Sequence, residues 1–220
     1  CRQALALGLD VSGSVDMKEY HLQLDGLADA LVDRDVSAAF LALPDANVRL
    51  LVYEWGGRVG QTILIPWTEI SSQRDLARVA MTLRSVKRRP VRLPTALGDA
   101  ILFGAEALSR QGDCWRRTLD LSSDGRSNVG PTPSMVSADS ALDGVTINVL
   151  VIGNEVLPNV QRFVEVLKDL DLYFQAEVIR GPGAFVQPTA DYAGFREAMT
   201  KKLLKELQTR AYGAIVPDNR

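Results

Sequence analysis

The run Gly8-Leu9-Asp10-Val11-Ser12-Gly13-Ser14-Val15-Asp16-Met17 sets a carboxylate and two hydroxyls at alternate positions, Asp10, Ser12 and Ser14. The apolar stretch 4–9 that leads into it reads as a buried strand, so the polar triplet falls where strand turns to helix. A strand would hold Asp10 at its carboxyl end while the loop folds Ser12 and Ser14 back toward it, converging three oxygens on one point. Hard cations such as Mg2+ take oxygen ligands of this kind, with water or a partner filling the remaining positions. Ser and Asp are equally ordinary turn and N-cap residues, so this segment alone fits a capped helix start as well.

Two distant segments carry matching chemistry. Arg92-Leu93-Pro94-Thr95-Ala96-Leu97-Gly98-Asp99-Ala100 puts a Thr just before an amphipathic helix, and Thr118-Leu119-Asp120-Leu121-Ser122-Ser123-Asp124-Gly125 puts Asp-Gly at the end of another apolar strand. In order and approximate separation, Asp10, Ser12, Ser14, Thr95 and Asp124 resemble the metal-ion-dependent adhesion site of von Willebrand factor A-type domains. Tyr53-Glu54-Trp55, Ile65-Pro66-Trp67, Thr95-Ala96-Leu97-Gly98 and Gly181-Pro182-Gly183-Ala184-Phe185-Val186 extend the likeness to a bacterial branch of that superfamily without a characterised activity. The resemblance covers nearly the whole chain.

The resemblance implies that Ser12, Ser14 and Thr95 offer hydroxyl oxygens to a cation, with Asp10 and Asp124 acting directly or through water. Mg2+ is the expected ion, with Mn2+ or Ca2+ as alternatives. Two carboxylates leave such a cation electrophilic, so an Asp or Glu of a partner protein can complete its coordination. Family members couple partner binding to the Thr loop and the last helix, here Thr95 and the segment 192–210. Asn128, Trp55, Gly181 and Gly183 are candidates for the rim or partner-contacting surface, although Asn128 also fits a simple turn, Trp55 core packing and the Gly181 loop a rigid turn.

The expected role is therefore a binding module and not an enzyme. His21, the one histidine, falls within the first predicted helix and off its apolar face; no Gly-x-Ser-x-Gly elbow, phosphate loop or dinucleotide fingerprint occurs. One histidine and two separated cysteines do not make a usual zinc site. The enzyme alternative is metal-assisted phosphoester hydrolysis with Asp10 as ligand or nucleophile. Phosphatases of similar layout place a second acid two positions on, where this chain has Ser12. A third reading is an A-type domain whose metal is purely structural.

The elements that must position these residues alternate. Strands are predicted at 4–11, 47–55, 61–67, 116–122, 146–152 and 176–179, and helices at 16–32, 36–43, 73–84, 96–110, 134–143, 157–170 and 192–210. This is the pattern of an α/β fold: an open, mostly parallel, doubly wound sheet with helices on both faces. The hairpin signal Gly56-Gly57-Arg58-Val59-Gly60 makes one edge strand antiparallel. Asp10, Thr95 and Asp124 then share the carboxyl edge, where open α/β sheets bind ligands. Asp16 is expected to cap the first helix and Asp99 to support its own helix's first turn. Asp120 would share a strand face with Asp124, within reach of an Arg.

At 220 residues, with no linker-like stretch, residues 1–220 read as one domain. The formal charge of −2 leaves no footprint for nucleic acid, and the basic cluster Arg84, Lys87, Arg88, Arg89 and Arg92 reads as a solvated edge. No run approaches a membrane span of roughly 20 apolar residues. Cys1 and Cys114 precede Asp10 and Asp124 by similar distances, so on adjacent parallel strands they would lie at similar height and could pair. Two reduced thiols, or a lipid-bearing Cys1, are the alternatives. A disulfide would place the protein in an oxidising compartment, periplasmic or extracellular, with a signal peptide already removed.

Overall fold

The structure is a computed structural model that describes residues 1–88, 93–153 and 160–208, with the side chains of 160–163 left aside. Six strands form one open sheet: β1 (Gln3–Asp10), β2 (Val48–Trp55), β3 (Thr62–Ile70), β4 (Arg116–Ser123), β5 (Val145–Ile152) and β6 (Val186–Thr189). Their order is β3-β2-β1-β4-β5-β6, and every pairing is parallel except β2 with β3. The chain leaves β1 toward β2 on one side and returns to β4 on the other. The reversal of strand order therefore falls between β1 and β4, at the ends that carry Asp10 and Asp124.

β1 is buried along its whole length because it is central and covered on both faces. Leu5, Leu7 and Leu9 point into one core while Ala4 and Ala6 point into the other. The first core lies under α1 (Met17–Leu31), α2 (Arg34–Phe40), α3 (Gln73–Ser85) and α7 (Phe195–Leu207); the second lies under α4 (Leu97–Ser109), α5 (Pro133–Val136) and α6 (Val160–Glu177). β3 takes the edge, where Pro66 costs no ladder bond. Gly57 turns the β2–β3 hairpin at φ 66°, a conformation that favours glycine.

Several expected boundaries move. The helix expected at 134–143 is α5 followed by a 3-10 turn at Ser140–Leu142, because Asp139 accepts a hydrogen bond from Ala141 N and starts a new cap. No strand forms at 176–179: α6 continues to Glu177, and the last strand is β6. Val178 and Ile179 pack on the second core from the turn that ends α6, a pattern that short apolar runs do not separate from a strand. Arg89, Arg92 and the outer ends of the predicted helices 157–170 and 192–210 lie outside the described residues.

Cys1 and Cys114 form a disulfide, joining the chain just before β1 to the loop before β4. Among the described residues no helix is long and apolar enough to cross a membrane.

Candidate metal centre

Asp10 ends β1 with its side chain fully buried. Its two oxygens are held separately: Ser12 N donates to Oδ1 at 2.8 Å, and Ser123 Oγ donates to Oδ2 at 2.9 Å. The backbone is fixed as well. Gln23 Nε2 donates to the Asp10 carbonyl at 2.9 Å, Asp10 N donates to Ser122 Oγ at 3.2 Å, and Ser122 Oγ donates to Gln23 Oε1 at 2.5 Å.

The loop that follows caps α1 without using Ser12 or Ser14. Asp16 caps α1 by accepting from Glu19 N, while the Glu19 carboxylate accepts from Asp16 N, a reciprocal capping box. Ser12 and Ser14 are thereby free of capping duty. Their hydroxyls lie 3.2 Å apart, and Ser14 Oγ donates to Asp124 Oδ1 at 2.8 Å. Ser12 is buried, Ser14 exposed and Asp124 half-buried, so the group has a closed floor and one open side.

Thr95 sits in a loop tied to both neighbours. Gly13 N donates to Leu93 O at 2.7 Å, and Asn128 forms a two-way clamp: Thr95 N donates to its Oδ1 and its own N donates to Thr95 O, both at 2.9 Å. The amino end of α4 is capped from outside, by Leu97 N donating to Ser127 Oγ at 3.3 Å. The Thr95 hydroxyl is thus not spent on its own helix. Gly98 lets this end of α4 close on the next loop, since a Cβ there would meet Pro131 O at 2.1 Å.

Electrostatically the site is short of positive charge. Burial, and then the adjacent Asp124 carboxylate, push Asp10 up to about 7. Burial also raises Asp124, against the lowering effect of the Ser14 hydrogen bond. Tyr192, just before α7, is buried against this pair and raised well above its usual range by burial and then by Asp124; its hydroxyl makes no hydrogen bond of good geometry. A buried and a half-buried carboxylate beside three hydroxyl residues are a donor set that fits a hard divalent cation. Among the described residues no group of three or more His, Cys, Asp or Glu side chains gathers in the manner of a carboxylate- or thiolate-rich site.

All five expected residues thus stand on the carboxyl edge, Asp10, Ser12, Ser14 and Asp124 in one hydrogen-bonded chain and Thr95 on the adjoining loop. Asn128 shapes this edge. Trp55 ends β2 beside Asp10, but its side chain is wholly buried in the second core and does not face the site. Gly181 and Gly183 do not either. They precede β6 instead of following a last strand, and a Cβ on Gly181 would meet Thr146 at the amino end of β5, the opposite edge of the sheet. Gln23, Ser122, Ser123 and Tyr192 were not anticipated. Gln23 carried a signal, a polar residue on the Tyr20–Leu24–Leu27 face of α1 where the pattern calls for an apolar one.

The strand order and helix placement are those of the von Willebrand factor A-type fold. Solved structures agree at low identity: a von Willebrand factor type A protein from Catenulispora acidiphila (TM-score 0.61, 14% identity, covering 94% of this chain and 43% of that one); the mussel byssus proximal thread matrix protein 1 with a zinc-occupied MIDAS motif (0.62, 18%, 94% and 48%); and the pilus adhesin SpaC from Lactobacillus rhamnosus GG (0.62, 11%, 94% and 31%). The chain spans less than half the length of each. Over residues 1–211 the sequence matches the family described as Protein of unknown function (DUF1194), and the chain belongs to that family. No curated protein matches the sequence.

Proposed function

We propose that the chain is a single A-type domain that binds a divalent cation at the carboxyl edge of its sheet and uses it to hold an acidic side chain of a partner protein. The observation that carries this reading is the continuous chain Ser12–Ser14–Asp124 beside Asp10, closed below and open above. Ser12, Ser14 and Thr95 would hold the ion through hydroxyls, with Asp10 and Asp124 directly or through water. Bound there, the ion would supply a positive centre for a partner's Asp or Glu. The chain's own residues do the positioning: Ser12 N and Ser123 fix Asp10, Ser14 fixes Asp124, and Asn128 fixes the Thr95 loop.

A neighbour in fold has a zinc-occupied MIDAS and another is a pilus adhesin, which supports a divalent ion and a binding role. Mg2+ is the ion we favour, since hydroxyl and carboxylate oxygens suit a hard cation. A binding role also fits His21, which is exposed on α1. The disulfide supports an oxidising location, periplasmic or extracellular. The partner test is affinity capture of surface proteins on immobilised protein, with Mg2+ or with chelator, beside Asp10→Ala. Capture that requires metal and fails with the variant supports the reading; capture indifferent to both overturns it.

A further inference from the structure

On the first-core face of the sheet, away from the edge, three ionisable side chains are buried together. Lys202 Nζ of α7 lies 2.7 Å from Asp120 Oδ1 of β4 and 2.7 Å from Glu206 Oε1, one turn further along the helix, and all three side chains are essentially inaccessible. The Arg partner expected for Asp120 is this lysine. Glu206 Oε1 also accepts from Asn148 Nδ2 of β5 at 2.7 Å, and Asn148 Oδ1 accepts from Phe185 N at 3.0 Å. Both Asp120 oxygens and Glu206 Oε2 lack a hydrogen bond of good geometry although buried.

The charges do not balance. Two carboxylates and one ammonium, fully ionised, leave a net negative charge in the core, where an uncompensated charge is most costly. Among the described residues no other cation forms a salt bridge with either carboxylate. Lys205, the next cation on α7, is turned onto the Phe185 ring at 3.6 Å, and Lys202 itself stands 4.9 Å from that ring. From β2, Tyr53 feels Asp120 across the sheet and donates its proton to Ala100 O. β5 contributes the neutral Asn148. At the far end of β4, Arg116 is occupied with Gln3, whose amide donates to Thr118.

One added proton makes the group neutral and gives an orphan oxygen something to donate. We propose that Asp120, Lys202 and Glu206 form a proton-holding clamp, in which Asp120 carries a proton toward Glu206 and Lys202 bridges the two, fastening α7 to β4. Burial, and then the Glu206 charge, push Asp120 up to about 8, against the pull of Lys202. The same helix begins beside Tyr192 and Asp124, so the clamp also sets the register in which that end meets the candidate metal centre. It does not depend on a cation being bound there.

The test is carbon-13 NMR of the Asp and Glu carboxyl groups in the intact protein from pH 4 to 9, with the folding equilibrium of the protein and of Asp120→Asn measured over the same range. Asn reproduces the shape of the protonated acid. Asp120 titrating above 6.5 is expected, together with a stability of the variant relative to the parent that grows by up to tenfold in the folding constant per pH unit between about 5 and 8. Asp10 titrates in both proteins, so the difference isolates Asp120. An Asp120 midpoint near 4, or parallel stability curves, would overturn the proposal. Should the variant fail to fold, the NMR titration of the parent decides alone.

Discussion

Ser14 donates its hydroxyl to Asp124 at 2.8 Å, across 110 positions of sequence, and so fastens the loop after β1 to the loop after β4. That bond spans the gap where the strand order reverses. Replacing Ser14 with Ala removes an exposed hydrogen bond, which costs at most about 1 kcal/mol of stability. Metal binding should suffer more, because the same oxygen is a proposed ligand. The check is a denaturant titration beside a metal titration: near-normal stability with lost or much weakened binding is the expected pair.

Asp10 gives the metal-free protein a distinctive pH dependence. Its carboxyl is raised to about 7 when folded, so the folded state holds a proton that the unfolded chain releases near 4. The stability this contributes is complete below about 4 and is lost as pH rises through about 7. A bound cation reverses the sign, since it needs the ionised carboxylate. Apparent metal affinity should fall about tenfold per pH unit below about 7 and level off above it. Melting temperature against pH, with and without Mg2+, should show two curves that diverge as pH rises.

Asn128 is predicted to act through Thr95. Asn128→Ala removes the acceptor for Thr95 N and lets the loop drift, with a cost of about 1–3 kcal/mol for a part-buried donor left unpaired. Metal affinity should drop roughly 10- to 100-fold, as for other residues that orient ligands. A calorimetric titration in which the variant binds as tightly as the parent would remove Asn128 from the site.

Reduction of Cys1–Cys114 should lower the melting temperature without abolishing the fold. The bridge encloses a sequence separation of 113, for which the chain-entropy argument gives at most about 5 kcal/mol. It lies at the amino edge, so metal affinity should be unchanged after reduction. Thermal melts with and without a reductant check the first point and calorimetry the second.

The parts of this architecture that were legible in the sequence are those set by local pattern. Buried apolar strands followed by Asp, the Gly57 hairpin and the Asp16 cap all announce themselves within a few residues. That the five candidate residues share one edge was legible for a related reason, because they fall at the end of β1, in the loops that follow β1 and β4, or just before α4. What escaped is what depends on tertiary contact. A long α6 and the strand at 176–179 have the same short apolar signature, and choosing the strand put Gly181 on the wrong edge. Trp55 stands beside a turn, yet its strand faces the core. Neither Lys202 nor Glu206 was anticipated, and only the approach of Asp120 from β4 reveals them as a buried group.

The most direct test of the central claim is calorimetric titration of chelator-stripped protein with Mg2+, Mn2+ and Ca2+ at pH 8, beside Asp10→Ala and Thr95→Ala. Saturable one-site binding in the parent, lost in Asp10→Ala and weakened in Thr95→Ala while both variants remain folded, is the predicted result. Binding that survives in both folded variants would contradict the account, because the cation would then be held by residues other than this edge.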